Sequence, residues 1–301
     1  MANTREISGR IKSIRDTMKI TNAMYMISST KMRKAKRNQE GNEPYFEEMQ
    51  SMYELIMSRV SDSSSIYLDS RPKKKGSDRV RAIVVVTSDK GLAGAYNHNV
   101  IKEAEQLMND GCQVKLCVLG EFGRQYYSGK VADLPGDYDK SNQSPDITRA
   151  RELGDLLIKD FKSGEIDEVY VVYTAMKNSM TSEARCIKLL PFARAEGENS
   201  ESTEESEISM FPSPDEVLEK VIPEIVIGDI YSALVESFCS EQNDRMMAMD
   251  AANKNADAML KELSIEFNRV RQAMITQEIT EVVAGAKAQK KKKARKEAQK
   301  A

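Results

Sequence analysis

The sequence predicts an α/β fold with long helices: an antiparallel two-helix coiled coil from the N- and C-terminal segments, with an inserted Rossmann-like α/β domain. Three observations predict it. Apolar residues step by three and four over long stretches at both ends of the 301-residue chain. In the middle the period changes, and β-branched runs alternate with amphipathic stretches. Helix breakers are sparse, at 15 Gly and 8 Pro, while Trp is absent and Met reaches 17, a composition suited to helix–helix seams rather than an aromatic core.

Residues 1–58 read as the N-terminal coiled-coil helix. Ile7, Ile11, Ile14, Met18, Thr21, Tyr25, Ser28, Met32 and Ala35 alternate steps of four and three, which is a heptad seam. From Met18 to Ile27 the apolar set widens to include Ile20, Ala23, Met24 and Met26, so this stretch is expected to be enclosed on several sides. Pro44, just after Gly41, is a candidate kink. A polar linker follows over 59–78.

Residues 79–193 read as the α/β domain. Val80 to Thr87 is a continuous β-branched run of the kind a buried parallel strand needs. A helix over Asn97 to Met108, a strand over Gln113 to Leu119 and a helix over Ile147 to Phe161 follow. Glu168 to Thr174 and Ala184 to Leu190 complete the set as strands.

Residues 196–207 hold six Glu and no basic residue, as a solvated loop would. Pro212, Pro214 and Pro223 then punctuate the chain. Residues 212–288 read as the C-terminal coiled-coil helix, with Met249, Ala252, Ala256, Leu260, Leu263, Phe267, Val270 and Met274 as its seam. The 63 residues from Glu224 to Ala286 would reach roughly 95 Å at about 1.5 Å per residue. A 100-residue domain has a radius of gyration of only about 13 Å. The expected shape is therefore a rod on a globular foot, with 289–301 as a basic tail.

Composition narrows the function. No apolar run approaches the roughly 20 residues of a membrane span, and the first residues lack the apolar core of a secretory signal, so no direct membrane insertion is expected. Cys112, Cys117, Cys186 and Cys239 form no CxxC pair, and His98 is the one histidine, so neither a metal site nor histidine catalysis is expected. Residues 290–301 carry seven basic groups and one acid, which leaves −8 on the rest of a chain whose net charge is −2. That acidic body argues against a nucleic-acid binder.

Three segments invite a functional reading. The loop Ser88-Asp89-Lys90-Gly91-Leu92-Ala93-Gly94-Ala95-Tyr96-Asn97 follows a strand and opens a helix, where a phosphate sits in dinucleotide-binding folds. Its glycines match neither G-x-G-x-x-G nor G-x-x-x-x-G-K-[ST], which favours a turn shaped by packing or partner contact. Lys31, Arg33, Lys34, Lys36 and Arg37 put five bases in seven residues. Their mutual repulsion is more easily explained by an acidic partner than by a solvated face. Asn268 to Ala288 is an amphipathic helix with Arg271, Gln272, Thr276 and Glu278 as hydrogen-bonding groups, and Glu278 with Glu281 has no convergent partner that would make a catalytic pair.

Three blocks carry a family resemblance. MKITNAMYMISSTKMRKAK resembles the opening helix of the gamma subunit of rotary ATP synthases. VVTSDKGLAGAYN resembles that family's strand–loop–helix block, and SEQNDRMMAMDAANKNA with FNRVRQAMITQEITEVVAGAKA its C-terminal helix. The similarity runs in order over about 3–288. It implies a central rotor shaft that couples ion-driven rotation of the membrane ring to cycling of the catalytic beta subunits and regulates ATPase activity. The implied partners are the alpha and beta subunits of the catalytic ring, the epsilon subunit and the c-subunit ring, at the cytoplasmic side of the cell membrane. No cofactor and no catalytic residue is implied on this chain.

By the same resemblance Ile20, Met24 and Ile27 form a sliding contact with the ring's sleeve, and Arg271, Gln272, Thr276 and Glu278 meet a catch loop. Lys31, Arg33, Lys34 and Lys36 face acidic lever loops of beta. The chain departs from the family at Asn22, often Lys, which removes a charge near the sleeve, and at Ala93, often Cys, which removes only a thiol. No regulatory dithiol insert is visible. The competing reading is a stand-alone α/β nucleotide-binding enzyme with a coiled-coil arm, using the Gly91 to Gly94 loop. A weaker third reading is a nucleic-acid binder using the basic tail.

Overall fold

Two long helices and a small sheet make up the architecture of the computed structural model, which describes residues 4–59, 65–68, 78–129, 144–178, 181–192 and 213–298. The element order is α1 (Thr4–Arg59), β1 (Val80–Val86), α2 (Tyr96–Met108), β2 (Gln113–Leu119), α3 (Glu121–Tyr127), α4 (Ile147–Ser163), β3 (Glu168–Met176), β4 (Ser182–Leu190) and α5 (Pro214–Ala298). The expected acidic loop at 196–207 lies outside the described residues.

The chain divides into two compact units, one of Met26–Ala248, the other of the residues up to Tyr25 with those from Met249 on. In the larger unit the sheet order is β2-β1-β3-β4. β1 pairs parallel with β2 and with β3, while β3 pairs antiparallel with β4. The strands fall where the β-branched runs predict them, because a strand covered on both faces needs apolar residues at successive positions. Ala82, Val84 and Val86 face one core with α4, α5 and the inward side of α1. Ile83 and Val85 face the other, with Val100, Ile101 and Ala104 of α2 and Tyr127 of α3.

Three features differ from the sequence expectation. α3 is an added helix; Gly120, at φ 92, brings its start directly onto the Thr87 backbone, where no side chain would fit. α1 continues through Pro44 without interruption. α5 begins at Pro214 and runs through Pro223, which the sequence reading took as punctuation. Ser213 caps it by accepting from the Glu216 amide at 3.3 Å, and Pro at the first helical position has no amide to lose.

The first part of α5 is also not a simple coil. Leu218, Ile222, Val226, Ile230, Leu234 and Phe238 are buried in the same core as the sheet, so residues 214–248 belong to the α/β body although the sequence placed all of 212–288 in the coiled coil. A two-helix coil buries one stripe of each helix; this segment buries nearly its whole circumference. Phe46 of α1 lies against Gly228, where a Cβ would collide with the ring, and Arg151 grips Glu224 through both guanidinium nitrogens at 2.8 and 3.0 Å.

In the smaller unit side chains of α1 and α5 touch. Ile7 and Met249 are buried. Ile11, Ile14, Met18, Thr21, Ala252, Ala256, Leu260, Leu263, Phe267 and Val270 are half-buried between exposed neighbours. Thr4 donates to the Met274 sulfur at 3.7 Å, and Thr21 donates to Asn253. Asn253 in turn donates to Asn22 Oδ1 at 2.7 Å, so Asn22 is tied to the opposite helix. No helix among the described residues is long and apolar enough to cross a membrane.

Candidate partner interface

The loop after β1 is built to hold its shape. Thr87 Oγ1 donates to the Leu119 carbonyl at 2.7 Å and accepts from the Gly123 amide at 3.0 Å, which ties the strand end to α3. Asn97 accepts from the Ser88 amide at 3.0 Å and donates to Ser88 Oγ at 2.7 Å, while Ser88 Oγ also reaches the Lys90 carbonyl at 2.8 Å. Leu92 is held at φ 66, a left-handed conformation that costs a branched side chain about 1 kcal/mol or more, and is 63% exposed.

What faces this loop is a cation. Arg245 of α5, buried, donates to the Lys90 and Gly91 carbonyls at 3.0 and 3.2 Å and pairs with buried Glu241 at 2.6 Å. A phosphate cradle turns amides toward an anion; here two carbonyls turn toward a guanidinium. Burial pushes the Glu241 carboxyl up, and Arg245 holds part of that rise back. A small cavity of about 50 Å³ lies here among Lys31, Asp89, Lys90, Phe238, Glu241, Gln242 and Arg245. Nearby, Tyr96 OH and Ser237 Oγ share a 2.7 Å hydrogen bond, and burial raises the tyrosine's pKa. Arg245 and Glu241 escaped the sequence reading as site residues. Their signal was a run of charged and amide groups, Glu241 to Arg245, one residue beyond Phe238-Cys239.

The basic band shares this unit. Lys31, Arg33, Lys34 and Lys36 are all exposed, while Met32 and Ala35 between them pack into the core. Arg33 donates to the Ser29 carbonyl and hydroxyl at 3.4 and 3.3 Å. None of the four bases has an ion-pair partner among the described residues. The thiols of Cys186 and Cys239 are pushed up to about 11 by burial, and all four cysteines are free.

The remaining predicted residues are dispersed along the helices. In the smaller unit Ile20 is 62% exposed and Met24 half-buried; in the larger one Ile27 is 56% exposed. Arg271, Gln272, Thr276 and Glu278 are exposed on α5, and Thr276 Oγ1 bonds the Gln272 carbonyl at 2.9 Å. Seven residues separate Arg271 from Glu278, so they share one stripe of the helix. Thr4, the first described residue of α1, meets Met274, and α5 continues beyond that contact. Ile275, Ile279, Val282 and Val283 are exposed there.

A family model described as ATP synthase matches residues 3–289. The ATP synthase gamma chain of Caldanaerobacter subterraneus is 39% identical over 94% of this chain and 98% of its own length. The ATP synthase gamma chain of Acetobacterium woodii, described as sodium ion specific, is 37% identical over 95% and 98%. Among solved structures, a chain of the Euglena gracilis mitochondrial ATP synthase superposes with a TM-score of 0.62 at 14% identity, covering 95% of this chain and 94% of that one. A chain of the Tetrahymena thermophila mitochondrial ATP synthase central stalk and c-ring gives 0.56 at 23% identity, covering 77% and 99%.

Proposed function

The chain belongs to the ATP synthase gamma chain family, and from that premise we propose that it works as the non-catalytic central shaft of the rotary synthase. Its antiparallel coiled coil draws on the N-terminal helix of 1–58 and on 249–288 of the expected 212–288, residues 214–248 join the α/β domain of 79–193 in the body, and 289–301 is a basic tail. The shaft carries torque from an ion-driven c-subunit ring into a ring of alpha and beta subunits. Each angle favours a different beta conformation through differential contacts, which is how rotation becomes a population shift at the catalytic sites. The epsilon subunit is a further partner, and the assembly sits on the cytoplasmic side of the cell membrane.

The observation that carries this reading is the apolar surface the two long helices leave exposed, Ile20 and Ile27 on α1 and Ile275, Ile279, Val282 and Val283 on α5. Ile20, Met24 and Ile27 serve the ring's sleeve, where non-directional apolar contact lets one surface slide over another. Arg271, Gln272, Thr276 and Glu278 serve the catch loop. Lys31, Arg33, Lys34 and Lys36 serve acidic lever loops of beta, where charge pairing depends on orientation and defines resting angles.

The test is a chain truncated after Met274, assembled into the complex. ATPase coupling is expected to fall while the α/β body stays folded, and unchanged coupling overturns the reading. The nucleotide-binding alternative has the Arg245 clamp against it, since a guanidinium occupies the face of the Gly91 loop. Calorimetry of the isolated chain with ATP separates the two, because stoichiometric binding would favour the enzyme.

A further inference from the structure

On the larger unit, away from the Gly91 loop, α1 and α5 border a cleft of about 560 Å³. Its walls are Phe46 on α1 and Ile225 and Tyr231 on α5; its rim carries Glu43, Glu47, Glu54 and Asp229 and no base. Two features select the occupant. The α1 side, Gln39, Glu43, Glu47, Gln50 and Glu54, is a single helical stripe from first to last, roughly 22 Å long at about 1.5 Å per residue. That length suits about four turns of a helix better than a small molecule. The second feature is charge. Asp229 has no hydrogen-bond or ion-pair partner among the described residues, and burial pushes its carboxyl up to about 6. A cation laid into the cleft would supply the missing partner.

We propose that this cleft is a docking groove for a basic amphipathic helix of a partner protein, its apolar side against Phe46 and Ile225 and its Lys or Arg side chains along Glu43, Glu47, Glu54 and Asp229. No residue of the basic band lines the groove, so it adds a partner surface to those proposed above. Gly228 keeps α5 close to Phe46 at its floor and so sets its depth.

The test uses the full-length chain and a fluorescent heptad peptide of Leu and Lys, long enough to match the groove, with its Leu and Glu counterpart. Glu43→Lys with Glu47→Lys is compared with Glu40→Lys with Glu48→Lys, which makes the same charge change on exposed positions of the same helix outside the cleft. Anisotropy is expected to show about tenfold weaker binding of the Lys peptide for the first pair and less than about twofold for the second. A benzophenone side chain at exposed Ser232 is expected to capture the peptide, and one at His98 of α2 is not. Equal losses in the two variants, capture at His98 alone, or equally tight binding of the Glu peptide each overturn the proposal. All four substituted residues are exposed, so circular dichroism is expected to be unchanged.

Discussion

The two units use the same two helices in opposite ways. Between 214 and 248, α5 is enclosed almost all round, and two of the polar groups it buries are tied to others, Ser237 to Tyr96 and Glu241 to Arg245. Between 249 and 274 the same helix buries one stripe against α1, and past Met274 every described side chain is exposed. Enclosure on all sides makes a segment intolerant of change. A single seam leaves most of the surface available to something else.

The comparison breaks if equivalent truncations cost the same. Ile222→Ala, in the core, is expected to cost about 4 kcal/mol, because it leaves a cavity that the sheet and α4 cannot collapse to fill. Leu263→Ala, in the half-buried seam, is expected to cost about 1 kcal/mol, since water already reaches that side chain. Urea unfolding of the two variants decides it, and equal midpoints would erase the distinction.

Removing one member of the buried ion pair comes next. Arg245→Met strands the Glu241 carboxylate in the core and frees the Lys90 and Gly91 carbonyls, for an expected loss of about 3 kcal/mol. Arg245→Met with Glu241→Leu is expected to recover part of it, because no buried charge is left alone. A double-mutant cycle in urea reads the coupling. Additive losses would show that the pair is not a unit.

This contrast also sets what could be read from sequence. The parallel strands were legible because burial on both faces writes unbroken apolar runs; Gln113–Leu119 was placed to the residue. The residues at steps of three and four in the smaller unit, such as Ile11, Ile14, Leu260 and Leu263, are half-buried. Harder to see was that residues 214–248 join the body, since a helix buried all round still shows apolar residues at heptad spacing. α3 was missed because seven residues containing Gly123 give too little period to detect. For the site, Lys31, Arg33, Lys34 and Lys36 were visible as charge density, but Arg245 was not, because its role depends on carbonyls some 150 residues away in sequence. The catch-loop role proposed for Arg271, Gln272, Thr276 and Glu278 comes from family resemblance alone, and an exposed helix surface carries no packing signal of its own.

The smallest expected effect lies at Asp229, whose carboxyl burial raises to about 6 from an ordinary value of 3.8. A carboxyl that holds its proton more tightly when folded than when unfolded opposes folding once it ionises. Stability is therefore lost as pH rises from about 4 through about 6, and the penalty is absent below about 4. Two units would correspond to nearly 3 kcal/mol for a fully enclosed group, but Asp229 keeps part of its surface in water, so about 1 kcal/mol is expected. Asp229→Asn cannot ionise. Its stability relative to the parent chain should grow by about 1 kcal/mol between about pH 4 and about pH 7 and then level off. Urea titrations at both pH values measure this. A constant difference would mean that the carboxylate already has a compensating cation in the cleft, and a difference that shrinks with pH would mean that ionisation there favours the fold.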